Sequence, residues 1–111
     1  MKYIIGFNKT GFMYDLSTVR DINSATIYSV KCKEAIEALG FKTAEFYGIH
    51  FVSALPIGAI FRSPSRECFL QKLSHNSCEN VITGEKHKLR SKERVKGYGS
   101  ELKTYFMEKY K

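Results

Sequence analysis

The segment EKHKLRSKERVKG (residues 85–97) places a cation at every second position, and Glu93 is the one acid within the run of cations. The six cations are Lys86, Lys88, Arg90, Lys92, Arg94 and Lys96. Because side chains alternate between the two faces of a β-strand, a strand would present all six on one face. Neighbouring cations would then be about 6.6 Å apart, close to the phosphate spacing along one nucleic-acid strand. The pattern predicts a surface that binds the backbone of RNA or DNA.

Tyr98 follows the cations within the sequence KGYGS, where a glycine stands on each side of it. Such a segment is typical of a loop, and an aromatic ring in a loop can stack on a nucleic-acid base. We therefore add Tyr98 to the predicted nucleic-acid site.

Two further constellations could carry chemistry. Cys68, His75, Cys78 and His87 could be drawn as a zinc site, but their spacing matches no structural zinc pattern, so no metal or other cofactor is expected. His75 or His87 could serve a small metal-independent nuclease as general acid or base. No nucleophile motif accompanies these residues, and the sequence favours a protein that is not an enzyme.

The charge of the chain is unevenly distributed. The 111 residues carry a formal net charge of +7, and residues 85–111 hold nine of the 18 Lys and Arg side chains. This asymmetry favours a polyanionic partner, either nucleic acid or an acidic protein surface. No secretory leader or membrane span is expected, and three widely spaced cysteines are typical of the reducing cytoplasm.

Residues 1–61 predict a small antiparallel sheet with one packed helix. The runs KYIIGF and FMYDL flank the turn sequence NKTG and predict a hairpin. Further strands are predicted in ATIYS, EFYGIHFVS and AIF. Between the first two of these, Ser29 is placed to cap a helix that ends at Gly40.

Residues 62–111 predict a helical and basic region that completes a single α+β domain. Ser63 and Pro64 are typical of a helix start, and a helix is predicted through SRECFLQKL. Residues 74–92 fit either a hairpin that turns at Gly84 or a second helix of a helix-turn-helix. The sequence ELKTYFMEKY predicts a closing helix. An exposed edge strand would permit a symmetric dimer.

Residues 61–98 also resemble the helix-turn-helix repeats attached to phage homing endonucleases. The residues that carry the likeness are Ser63, Glu67, Cys68, Leu73, Gly84, Gly97 and Tyr98. The first half of the chain is similar in style to small basic accessory proteins of tailed phages. The resemblance implies a phage protein that acts in the host cytoplasm.

The leading hypothesis is a non-enzymatic protein that binds nucleic acid through its basic C-terminal face. A phage origin would make it a regulator or inhibitor of a host system that handles nucleic acid. The first alternative is an inhibitor that docks the same face on an acidic site of a host enzyme or toxin, and the second is the small nuclease.

Overall fold

A computed structural model describes residues 2–63, 68–89 and 92–109 of the chain. They form one 10-stranded sheet and two short helices, so the predicted α+β class is confirmed, with the sheet dominant. The strands are β1 (Tyr3–Asn8), β2 (Gly11–Tyr14), β3 (Ser17–Val19), β4 (Tyr28–Ser29), β5 (Lys42–Phe51), β6 (Ile60–Ser63), β7 (Cys68–Lys72), β8 (Ser77–Asn80), β9 (Lys86–Lys88) and β10 (Arg94–Tyr98). The helices are α1 (Lys33–Ala38) and α2 (Lys103–Lys109).

All the strand pairs are antiparallel, and the order across the sheet is β3-β2-β1-β5-β10-β6-β7-β8-β9, with β4 paired to β1. Strand β10 lies between β5 and β6, so the N-terminal and C-terminal halves of the chain share one sheet. Among the described residues, β3 and β9 are the two end strands of this order. Within the described residues, no helix is long and apolar enough to cross a membrane.

Two of the three predicted helices are confirmed. Ser29 caps a short 3-10 turn (Val30–Cys32) that leads into α1, because its Oγ accepts a hydrogen bond from the backbone N–H of Lys31 at 3.3 Å. The closing helix forms as α2 after a second 3-10 turn at Ser100–Leu102. Gly40 follows α1 with a φ of 92°, a conformation that favours glycine.

The helix predicted through SRECFLQKL is wrong where the structure describes it. Cys68–Lys72 is strand β7, which pairs with β6 and β8. Leu70 and Lys72 are buried on one face of the strand, while Phe69 points to the other face against Phe106. Pro64 and Glu67 lie outside the described residues. In the described part of residues 61–98, strands β6 to β10 are found where the likeness to a helix-turn-helix implies helices.

Residues 74–92 fold as the hairpin alternative up to Leu89. Strand β9 pairs with β8 in the register Ser77 to Lys88, Cys78 to His87 and Glu79 to Lys86. The connecting turn is held by Asn80, whose Oδ1 accepts from the backbone N–H of Ile82 at 2.8 Å and of Thr83 at 3.1 Å.

The sheet is strongly curved around α2. Phe12 of β2 lies 4.7 Å from the Tyr105 ring, and Phe69 of β7 lies 4.8 Å from the Phe106 ring. These two helical rings are themselves 5.2 Å apart. Since β2 and β7 are five strands apart, a flat sheet would separate them by about 24 Å. The face that carries α2 is therefore concave.

The opposite, convex face has two apolar clusters of its own. Helix α1 packs there through Ile36, which is buried with Ile4 and Met13. The second cluster contains Leu55, Leu70, Cys78 and Val95. It also buries Lys72, whose side chain is 1% exposed.

Candidate nucleic-acid interface

The alternating cations do not form one row. Lys86 and Lys88 belong to edge strand β9, whereas Arg94 and Lys96 belong to β10, and β6, β7 and β8 lie between them. Lys92 is exposed in the turn before β10, and Arg90 lies outside the described residues. The predicted single strand of six cations is wrong, because the chain leaves the sheet edge after β9 and returns at its centre.

The strand registers nevertheless place four of these cations on the same face. Cross-strand partners share a face. Across β10, β6, β7, β8 and β9, each residue of the following series pairs with the next: Tyr98, Ile60, Gln71, Glu79 and Lys86. Because side chains two residues apart point the same way, Lys88, Lys96 and Arg94 also belong to this face. It is the concave face, since Tyr98 and Ile60 belong to the cluster around α2. Measured along the sheet, four strand spacings, or about 19 Å, separate β9 from β10.

Two adjoining cavities open on the concave face, and we call them together the basic groove. The larger has a volume of about 390 Å³ and the smaller about 210 Å³, and Ile22 and Arg62 line both. The cations that line them come from four separate parts of the chain: Arg20, Arg62, Arg94, Lys96 and Lys109. Asp21 is the one acid among the lining residues.

The strands bring these cations together by register. Gly97 and Tyr98 of β10 pair with Phe61 and Ile60 of β6. Extending that antiparallel register by one residue sets Lys96 opposite Arg62 on the same face. Among the residues that the structure describes, no carboxylate forms an ion pair with Arg20, Arg62, Arg94 or Lys96. Four such cations against the one lining acid, Asp21, leave the groove with a positive potential.

Tyr98 is part of the groove, but in a different way from the prediction. It lies in β10 rather than in a loop, is 2% exposed, and packs on Phe46 with 5.4 Å between the ring centroids. Burial, together with the nearby charge of Asp21, raises the pKa of Tyr98 to about 12. Its ring is covered, so the phenol forms part of the groove floor and the ring has no open face on which a base could stack.

A β-bulge in β5 supplies an exposed aromatic ring that sequence reasoning missed. Gly97 pairs with Gly48 but Tyr98 pairs with Phe46, so Tyr47 and Gly48 together span one step of β10. Gly48 adopts a φ of 86°, which suits this bulge. The extra residue shifts the alternation, and Ile49 and Phe51 consequently face the same side as Phe46.

Phe51 lies at the rim of the groove beside a cation. It is the cross-strand partner of Arg94, whose Cζ lies 5.6 Å from the centroid of the ring. Half of the Phe51 side chain is exposed, and the neighbouring Ile49, which lines the groove, is 57% exposed. The groove thus combines apolar surface with cations.

The histidines that a nuclease would use lie away from the groove. His75 is exposed in the turn between β7 and β8. His87 pairs with Cys78 and so faces the convex side of the sheet, where its Nε2 lies 4.0 Å from Glu85. Across residues 2–63, 68–89 and 92–109, no group of three or more His, Cys, Asp and Glu side chains is placed to hold a metal ion.

Comparison with known proteins adds no relative from which a function could be transferred. No protein-family model matches the sequence. No curated protein and no solved structure matches it either. The function must therefore be inferred from the basic groove itself.

Proposed function

We propose that the protein binds the sugar-phosphate backbone of nucleic acid, without catalysis, through the basic groove. The observation that carries this proposal is the convergence of five cations and one acid in a concave site. These cations come from β6, β10, α2 and the segment after β3. The alternation of cations in residues 86–96 therefore does not explain why all five line one site. Phosphates would neutralise them and release condensed counterions, which is a large source of affinity.

The shape of the site supports the same proposal. A concave cavity with low-dielectric walls concentrates the field of the charges that line it, and this raises the local concentration of a polyanion. Lys86 and Lys88 lie on the same face at the edge of the sheet and add positive charge beyond the groove, which Glu79, the cross-strand partner of Lys86, offsets in part. The sequence-predicted cations of β10 thus contribute to the groove, while those of β9 would guide or extend the bound chain.

Salt titration tests the proposal. The affinity for short RNA and DNA strands, measured by fluorescence anisotropy, should fall steeply as salt rises, and it should be similar for different sequences. The double variant R62E/K96E should abolish most of the binding. The matched control K31E/K33E makes the same change in net charge on exposed side chains outside the groove and should retain most of it. Equal losses in the two variants would show attraction to overall charge and overturn the groove proposal.

A second candidate function is supported by the exposed apolar side chains. Arg and aromatic residues are enriched at protein interfaces, and Ile49, Phe51 and Arg94 form such a set at the groove. In this alternative the groove docks on an acidic site of a host enzyme or toxin. Binding that needs a protein partner and is absent for RNA and DNA at low salt would favour it.

For either function we propose a cytoplasmic role, in the host cytoplasm if a phage encodes the chain. In keeping with the resemblance to small accessory proteins of tailed phages, binding would control a host system that handles nucleic acid. Affinity purification from host cells, with identification of both the nucleic acid and the protein that co-elute, tests this role. Recovery of neither would contradict it.

A further inference from the structure

The aromatic ring at the rim of the groove is placed for a task that phosphate binding does not require. Phe51 is half exposed on a strand whose earlier rings are partly buried, and the bulge at Gly48 is what turns it to the concave face. Arg94 lies over one face of the ring, and half of Phe51 remains exposed. An exposed ring next to a guanidinium is the arrangement on which an unpaired base stacks.

The concave shape of the groove and the position of the ring favour unpaired over paired nucleic acid. The cavity beside Ile49 holds about 390 Å³, which lies at the small end of the range for pockets that enclose a single small molecule. In a duplex the bases are stacked inside and the phosphates lie on a convex surface. A ring at the rim of a concave groove could therefore reach a base only where the base is unpaired.

Resting on the proposed function, we infer that the ligand is single-stranded nucleic acid, with one base stacked on the face of the Phe51 ring that Arg94 does not cover. The adjacent phosphates lie along Lys96 and Arg62, which line the cavity next to the ring. Ile49 provides the apolar floor beneath the nucleotide. The stacking face is common to all bases, so the site binds with little sequence preference.

The test compares intact strands with strands that lack bases. Anisotropy titrations use labelled oligouridylate, oligothymidylate, a duplex of matched length, and an abasic sugar-phosphate strand of the same length. The variants are F51A, F51Y, which keeps a stacking ring, and I57A, which removes an apolar side chain of similar exposure from the turn before β6. Circular dichroism confirms that each variant folds.

The inference expects single strands to bind more tightly than the duplex. F51A should weaken binding of intact strands roughly 5- to 150-fold, which is the usual value of one stacked base. The same variant should not weaken binding of the abasic strand, while F51Y and I57A should bind intact strands as the wild type does. The uridylate and thymidylate strands differ in the sugar and in the methyl group of the base, so their comparison ranks an RNA strand against a DNA strand.

Two results would overturn the inference in different ways. If F51A binds intact strands normally, or loses the same factor on abasic strands, the stacking role is wrong, and loss of binding in R62E/K96E would still support the groove as a backbone site. If no strand binds at low salt, both the proposed function and this inference fail.

Discussion

Arg94 and Phe51 are cross-strand partners on the concave face, and the guanidinium carbon lies 5.6 Å from the ring centroid. This pair links the two properties of the groove, its charge and its exposed aromatic surface. It exists because the bulge at Gly48 changes the face on which the last residues of β5 lie. Without the bulge, Phe51 would face the convex side, and Arg94 would have no ring beside it.

The bulge gives the first prediction. G48A should lower the free energy of unfolding by about 1 to 2 kcal/mol, because φ is 86° and a Cβ at this position is strained. Relief of that strain by moving the bulge would also turn Phe51 away and weaken nucleic-acid binding. The control is G58A, which has a similar φ of 94° outside the groove and should lower stability without changing affinity. Equal affinities in both variants would contradict a role for the bulge in the site.

The two pairs of alternating cations should differ in their importance. R94Q/K96Q removes two charges from the groove, whereas K86Q/K88Q removes two from edge strand β9. Each phosphate contact that is lost lowers the slope of log affinity against log salt by about 0.7 for a single strand. We expect the first variant to lose about 1.4 from this slope and the second variant to lose less. A larger loss of slope in K86Q/K88Q would show that the nucleic acid binds at the sheet edge and not in the groove.

Lys72 should be essential for stability rather than for binding. Its buried Nζ donates hydrogen bonds to the backbone carbonyls of Leu55 at 2.7 Å, and of Val52 and Ser53 at 3.2 Å each. K72M keeps most of the side-chain volume but removes the donor that the carbonyls of Ser53 and Leu55 share, while the Val52 carbonyl still accepts from the backbone N–H of Leu55, and it should lower the free energy of unfolding by about 2 to 4 kcal/mol. Urea denaturation measures this loss. K33M, on an exposed position of α1, should change stability by less than about 0.5 kcal/mol, and equal effects would contradict the structural role.

A larger side chain at position 97 should destabilise the fold while Leu55 is in place. A Cβ at position 97 would clash with Cδ2 of Leu55, which is 3% exposed in the convex cluster. Overpacking of this kind lowers stability by about 1 to 3 kcal/mol. In the double variant G97A/L55A the clash is removed, so the combined loss measured by denaturation should be smaller than the sum of the two single losses. Simple additivity would show that the clash is relieved in some other way.

Tyr98 should make stability depend on pH in alkaline solution. Its pKa is raised from 10.0 to about 12 in the folded protein, first by burial and then by Asp21. The folded state therefore holds the phenolic proton more tightly than the unfolded state. The resulting stabilisation, about 2 to 3 kcal/mol, is fully present below pH 10 and is lost as the pH rises to about 12.

The variant Y98F isolates this effect. Denaturation at several pH values should show a steeper loss of stability between pH 10 and pH 12 for the wild type than for Y98F. Spectrophotometric titration should also show a tyrosine that ionises near pH 12 in the wild type and is missing in Y98F. Identical pH profiles for the two proteins would contradict the raised pKa.

Local signals predicted the parts of the fold that depend on neighbouring residues. Ser29 as a cap and Gly40 as a stop marked α1, and the turn at Gly84 marked the β8–β9 hairpin. Strand β7 was missed because Phe69, Leu70 and Leu73 fit a helical stripe equally well. Lys72 is typical of an exposed position, and nothing in the local sequence indicates that it is buried with its ammonium group bound to three backbone carbonyls.

The candidate site could be predicted only in part for the same reason. Arg94 and Lys96 were found from their alternation, but Arg20, Arg62 and Lys109 join them through sheet curvature and strand order. Phe51 was missed because its face depends on a bulge. The glycine in that bulge is a local signal, although its effect on the strand becomes visible only when the partner strand is known.

The position of β10 has a consequence for the biosynthesis of the protein. Strands β5 and β6 leave the ribosome well before residues 94–98. Until then, the backbone amide and carbonyl groups on the side that β10 will occupy have no strand to pair with. Until β10 is synthesised, the nascent chain therefore exposes two unpaired strand edges that can pair with other chains. Chaperones that cover such edges should raise the yield of folded protein.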